Sequence, residues 1–284
     1  MIQMKYKIYL IISLMFLIGQ SNSQNMKKIY KKEVSDALNG IQNQKPEILT
    51  EQDMAHLPIP VQKYLRYTGC IGQEKVFNFR VEMEGGIRSS ATDSYMKLKS
   101  VQYNFVENPS RFFYIKAKKM GIPVGGVHIY KNETAYMTIK LAGLFTVVDA
   151  HGKEMNQGET VTLFNDMCFM APATLISPDI EWETIDTLTV KATFRNGNQK
   201  ISATLFFNEE GQLIDFISYD RYETSNGVDY YNFPWQTPVK GGYQQKNGRM
   251  FPCAAEAIYI RPEGAFCYAE FKLVNIEYNL KKLQ

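Results

Sequence analysis

Between Leu188 and Phe207 the chain alternates with almost no interruption. Leu188, Val190, Ala192 and Phe194 interleave with Thr189, Lys191, Thr193 and Arg195, and Ile201, Ala203, Leu205 and Phe207 interleave with Ser202, Thr204 and Phe206. Side chains of a strand point to opposite faces with period two, so this pattern specifies two strands that share one apolar face. Asn196-Gly197-Asn198 separates them and supplies residues that tolerate positive φ, as a tight antiparallel hairpin requires. A second break at Asn208-Glu209-Glu210-Gly211 returns the chain into a third strand, Leu213–Tyr222. A meander with one greasy face must be covered by something else in the chain.

The rest supplies more strands and a few helices. Ile29, Val34, Leu38 and Ile41 fit one face of a helix within a polar segment over 24–45, and Thr50 with Asp53 fits a capping box. Val61, Tyr64 and Leu65 share a face in a short helix that Pro60 opens and Gly69 stops. Phe77–Met83, Tyr95–Glu107, Arg111–Ala117, Val127–Tyr130, Thr134–Ile139 and Leu144–Val148 read as strands, with a loop at Met120–Pro123. The period then changes. Val161, Phe164, Met167 and Cys168 lie at helical spacing after a turn-rich Gly152–Gly158, which puts Glu159 in the first turn, and Pro172 opens a short piece through Ile176. Tyr230–Trp235, Gly241–Lys246, Ala254–Ile260 and Ala265–Tyr278 add further strands. Strands before and after a helical insert give an α+β class: a large curved antiparallel sheet, a half-barrel, with a few helices over its concave face. The expected division is a signal peptide over 1–23, a polar or helical spacer over 24–56, and one β-rich domain over 57–284 with its helical insert near 159–176.

Lys5, Lys7, the apolar run Ile8–Ile18 and Ser21-Asn22-Ser23 have the three parts of an export signal, so the expected location is the periplasm or cell envelope. No cysteine follows the run for lipid attachment. The net charge of +3 includes Lys5 and Lys7, and no basic run is dense enough for a phosphate backbone, so nucleic acid is not an expected partner. If Pro262-Glu263 centres a hairpin turn, Cys253 falls opposite residue 272 and Cys267 opposite 258, which leaves these two unbridged without a register shift. Cys70, Cys168, Cys253 and Cys267 then read as buried small hydrophobes.

Chemistry-bearing motifs are sparse. His56, His128 and His151 have no metal-ligand spacing, and GxSxG, SxxK, GxGxxG and P-loop patterns are missing, so neither metal nor cofactor is expected. Asp166 sits on the helix expected to plug the barrel; Asp186, Asp220 and Glu256 lie on strands or their ends. These carboxylates read either as acid/base groups or as partners of Arg221 and Arg249. Trp182, Trp235 and Tyr243 fit a cavity lining as well as a core. The candidate ligand-binding set is Phe164, Asp166, Trp182, Arg221, Trp235, Tyr243, Arg249 and Glu256.

Leu57–Leu65, Ala171-Pro172-Ala173, Glu181-Trp182, Asp220-Arg221, Pro234-Trp235 and Gly248–Pro252 carry a resemblance to a bacterial envelope family known only as a domain of unknown function. The resemblance implies a fold and no activity. More remotely, the strand–meander–helix order resembles the half-barrel of periplasmic lipoprotein carriers, whose helices lid an apolar cavity, a likeness of fold alone. The reading is a non-enzymatic exported protein that binds a lipid or other hydrophobic small molecule in a half-barrel cavity and associates peripherally with the envelope. Two alternatives stand beside it. One is a hydrolase or lyase in which Asp166 or Asp186 converges with Arg221 or Arg249, and the other is a scaffold that binds a protein through an edge strand.

Overall fold

The strands that alternate in sequence pair in one continuous sheet. In the computed structural model, which describes residues 26–45 and 47–284, the element order is a helix over 26–40 (α1), α2 (Ile59–Tyr67), β1 (Asn78–Ile87), β2 (Met96–Phe105), β3 (Ser110–Lys119), β4 (Ile122–Lys131), β5 (Thr134–Leu141), β6 (Phe145–His151), α3 (Lys153–Met170) and a 3₁₀ turn, Pro172–Ile176. Then come β7 (Ile180–Thr184), β8 (Thr189–Asn196), β9 (Gln199–Phe207), β10 (Leu213–Ser218), β11 (Tyr222–Glu223), β12 (Tyr231–Asn232), β13 (Trp235–Gln236), β14 (Val239–Lys246), β15 (Arg249–Arg261) and β16 (Gly264–Tyr278). The export-signal residues lie outside the described residues.

The sheet runs β6-β5-β4-β3-β2-β1-β16-β15-β13-β10-β9-β8-β7, with β14 on β15 and a separate β11–β12 ribbon. It is an α+β open half-barrel, and its pairings are antiparallel. The central hairpin follows its sequence pattern: Asn196 pairs with Gln199 across Gly197-Asn198, and Gly197 takes φ 57°. The last hairpin does so only near its turn: Ile258 pairs with Cys267 and Arg261 with Gly264, but an irregularity between Ala257 and Ile258 shifts the register, so residue 272 faces Ala254 instead of Cys253. All four cysteines are free, but only Cys70 and Cys168 are buried, because Cys253 and Cys267 lie on the half-covered β15–β16 pair.

Several expectations need correction. α3 begins at Lys153, so Gly158 is helical, Glu154 occupies the first turn, and Glu159 lies further in. The chain between Met120 and Pro123 is no loop; β3 and β4 turn tightly at Met120-Gly121, and Pro123 pairs with Lys118. Tyr230–Trp235 is broken into β12 and β13, because the chain leaves the ribbon before it joins β10 and β15. Thr50 Oγ1 donates to the Asp53 carboxylate as a capping box would, but at a turn and not at a helix start.

Both faces of the sheet are covered at one end. On the convex side α1 packs Met26, Tyr30, Val34 and Leu38 against Tyr103, Phe105, Phe112, Tyr114, Val127 and Ile129. On the concave side α3 is buried all round from Gly158 to Phe169. Val161, Leu163 and Phe164 are at most 1% exposed, and Phe164 stacks on Phe194 with centroids 5.3 Å apart. The helix therefore fills the space that the sequence reading assigned to a stoppered hollow. The sheet curls around it until the β4–β5 and β8–β9 turns meet, where Asn198 N–H donates to Glu133 Oε2 at 2.6 Å. The β11–β12 ribbon straps across to β6. There Gly227 presses so close to the Asp149 carbonyl that a Cβ would sit 2.4 Å from its oxygen.

Candidate functional site

The inward residues of β1–β6 form rows across the sheet, set by the register. The row under α3 is polar: Asn104, Arg111 and Tyr130. The next holds Gln102, Phe113, His128 and Met137. Beyond these the rows become apolar, first Met83, Ser100, Ile115, Gly126, Ile139 and Val148, then Gly85, Leu98, Ala117, Val124, Leu141 and Phe145.

Polar groups of the first rows meet α3 in a buried network. Arg111 Nε donates to Asp166 Oδ2 at 2.8 Å, Nη1 to Glu159 Oε2 at 3.1 Å and Nη2 to Gln102 Oε1 at 3.1 Å. Asp166 Oδ2 also accepts from Gln102 at 2.9 Å and Asn104 at 3.0 Å. His128 Nε2 lies 3.2 Å from Glu159 Oε2, at an angle that makes no hydrogen bond. Burial, with Arg111 and Arg221 nearby, lowers the His128 pKa to about 4, outweighing the pull of Glu159, so the imidazole is neutral at pH 7. Burial pushes Glu159 up, but the opposing influence of His128, Arg111 and Arg221 brings it below the ordinary carboxylate value. Such a network costs desolvation and is kept only when its members are satisfied. Its geometric effect is to fix the position and rotation of α3 on β2–β4.

Arg221 is held at the other side of α3. Its Nε donates to Thr162 Oγ1 at 3.2 Å, Nη1 reaches the Tyr259 hydroxyl, and the guanidinium lies 4.6 Å from the Trp235 ring centroid. Of the eight candidates, the structure thus brings Arg221 and Trp235 into contact and sets Asp166 and Phe164 on the adjoining helix. The other four lie apart. Tyr243 donates to the Leu213 carbonyl beside Tyr64, and Arg249 covers the Tyr278 ring at 4.4 Å. Trp182 is half-buried on β7, and Glu256 pairs with Lys240 at 3.2 Å. The carboxylate–arginine convergence expected for a hydrolase is not formed: Asp166 is taken by Arg111, and exposed Asp186 accepts from Leu188 N–H at a turn. Glu256, Cys267 and Glu270 bring donor atoms within 4.8 Å of one another, but Lys240 and the Tyr95 hydroxyl occupy that set.

Residues outside the expected set define the remaining feature. Leu98, Ala117 and Val124 make an apolar cluster with half-buried Ile87, Met96, Ile139, Leu141 and Phe271, built from strand residues alone. No α3 residue belongs to it, so this end of the concave face is a shallow apolar trough. Phe113 marks its boundary with the network, its ring 4.6 Å from the Arg111 guanidinium. The buried Ser100 hydroxyl, in the row between, has no hydrogen-bond partner among the described residues.

A half-barrel threaded by one anchored helix, with an apolar trough beyond it, defines the class of protein. The model of the family described as "Family of unknown function (DUF6544)" matches residues 47–271, and the chain belongs to that family. A comparison with curated proteins finds no match.

Proposed function

We propose that the protein is an exported envelope protein that binds the hydrocarbon part of a lipid-like molecule in the trough at the bare end of the concave face. The observation that supports this reading is the helix-free cluster around Leu98, Ala117 and Val124, whose outer members Met96, Ile139 and Leu141 stay half-exposed. An apolar strip on a soluble face is an unfavourable surface until something covers it. The leader-like pattern of residues 1–23 supports the envelope setting. At about 0.8 kcal/mol per fully buried methylene, a long acyl chain half-covered by the trough reaches affinities of roughly tens of micromolar.

The test is titration with a fluorescent long-chain fatty acid, together with native mass spectrometry of gently purified protein. Uptake in that range, lost in Leu141→Asp with an unchanged melting curve, supports the reading. A clean unliganded mass with no uptake by the wild-type chain refutes it.

A further inference from the structure

The outward face of the same bare end carries the opposite chemistry. Where α1 stops covering the convex side, the outward positions of β2, β3 and β5 are Lys97, Lys99, Lys116, Lys118 and Lys140. The register sets Lys99 directly opposite Lys116, and Lys97 falls opposite Lys118 by the same pairing. Like charges facing each other across a ladder destabilise a sheet, so this arrangement is a standing cost. Lys99 is offset by Glu84 at 2.6 Å, whereas Lys97, Lys118, Lys119 and Lys140 have no ion pair among the described residues. The sequence polarises accordingly. Residues 95–148 hold eight Lys and Arg against two Asp and Glu, in a chain whose whole net charge is +3.

Apolar side chains project from the rim beside these lysines. Met120 at the β3–β4 turn is 95% exposed, Phe145 60%, Val147 50% and Ile122 43%. The neighbouring β5–β6 turn is tied alongside by the Ala142 N–H to Pro123 carbonyl bond at 2.7 Å, so the two turns form one edge. Lysines set behind a protruding methionine, isoleucine and phenylalanine match a surface whose outer layer is anionic and whose interior is hydrocarbon. A nucleic-acid backbone would satisfy the lysines and leave the apolar rim in water.

We propose that this edge docks the protein on an anionic phospholipid bilayer, with Met120, Ile122 and Phe145 entering the interface and Lys97, Lys116, Lys118 and Lys140 facing phosphate. The proposal rests on the outer face and rim; Phe145 also ends the last row of the trough, so the charge-reversed variant, which leaves that row intact, is the one that separates the two readings.

The experiment is co-sedimentation of the full chain with vesicles of 70% phosphatidylcholine and 30% phosphatidylglycerol, alongside vesicles of phosphatidylcholine alone. The comparison is between the wild type and two variants, Lys97→Glu/Lys116→Glu/Lys118→Glu and Met120→Ser/Phe145→Ser. The first is expected to weaken partitioning onto anionic vesicles by about a hundredfold or more, given the usual contribution of each lysine near such a surface, and to abolish its salt dependence. The second is expected to weaken binding on both vesicle types while the salt dependence remains. Undiminished binding of the charge-reversed variant overturns the proposal. So does wild-type affinity for duplex DNA exceeding that for the anionic vesicles at equal salt. Fatty-acid uptake retained by the charge-reversed variant separates a failure here from a failure of the trough.

Discussion

Arg111 on β3 and Asp166 on α3 meet at 2.8 Å inside the barrel, both with side chains at most 7% exposed. They are the main electrostatic tie between the sheet and the helix that fills it. Removing one member of a buried pair leaves an uncompensated charge, which costs more than the pair contributes. Asp166→Asn keeps the volume but turns an acceptor of three hydrogen bonds into a group that also presents donors to Gln102, Asn104 and Arg111. The expected loss is about 3–5 kcal/mol in urea unfolding. Arg111→Met is expected to cost at least as much, because it strands the buried carboxylates of both Glu159 and Asp166.

His128 makes stability depend on pH. Its folded-state pKa of about 4 lies below the ordinary 6.5, so the unfolded chain takes up the proton first as pH falls. Stability is therefore fully present above about pH 6.5 and declines toward pH 4. Glu159, whose pKa is lowered, acts in the same direction at still lower pH. Urea midpoints measured from pH 7 to pH 4 should fall more steeply for the wild type than for His128→Gln. The difference approaches about 3 kcal/mol at the acid end.

Asp215 has the opposite sign. Burial raises its pKa to about 6 against the pull of the Phe216 and Thr237 amides, so the folded chain holds a proton that the unfolded chain has released. Its contribution falls as pH rises from about 4 to 6. Asp215→Asn should then stabilise the protein by roughly 1–2 kcal/mol at pH 8, after allowance for partial solvent screening, and have no effect at pH 4. Thermal melts at the two pH values separate these outcomes.

What sequence reading resolved and what it missed each have a physical cause. The β8–β9 hairpin was legible because one face is core and the other is wet, so alternation survives. β2 alternates poorly because both faces are covered: Tyr103 and Phe105 meet α1 while Gln102 and Asn104 meet α3. The start of α3 is hidden for a different reason. Lys153, Glu154, Asn156 and Gln157 are polar and at least partly exposed, with only Met155 buried before Gly158, so Lys153–Gly158 carries no apolar period and reads as a turn. The network itself joins residues up to 64 positions apart, and its available sign was a group of polar residues at inward strand positions. The trough is not legible because the pattern points to a ligand beneath the helix, whereas α3 takes that space itself.

The sheet's unequal thickness has a dynamic consequence. Near Arg111 it is the middle of three layers, while near Met120 neither of the two helices lies over strands β2–β5. Local opening is governed by how much packing must be undone to expose an amide. Deuterium should therefore enter the Ala117–Val124 and Leu141–Phe145 hairpin tips long before it reaches Tyr103, Phe112 or Ile129, leaving a soft lip on a rigid cup.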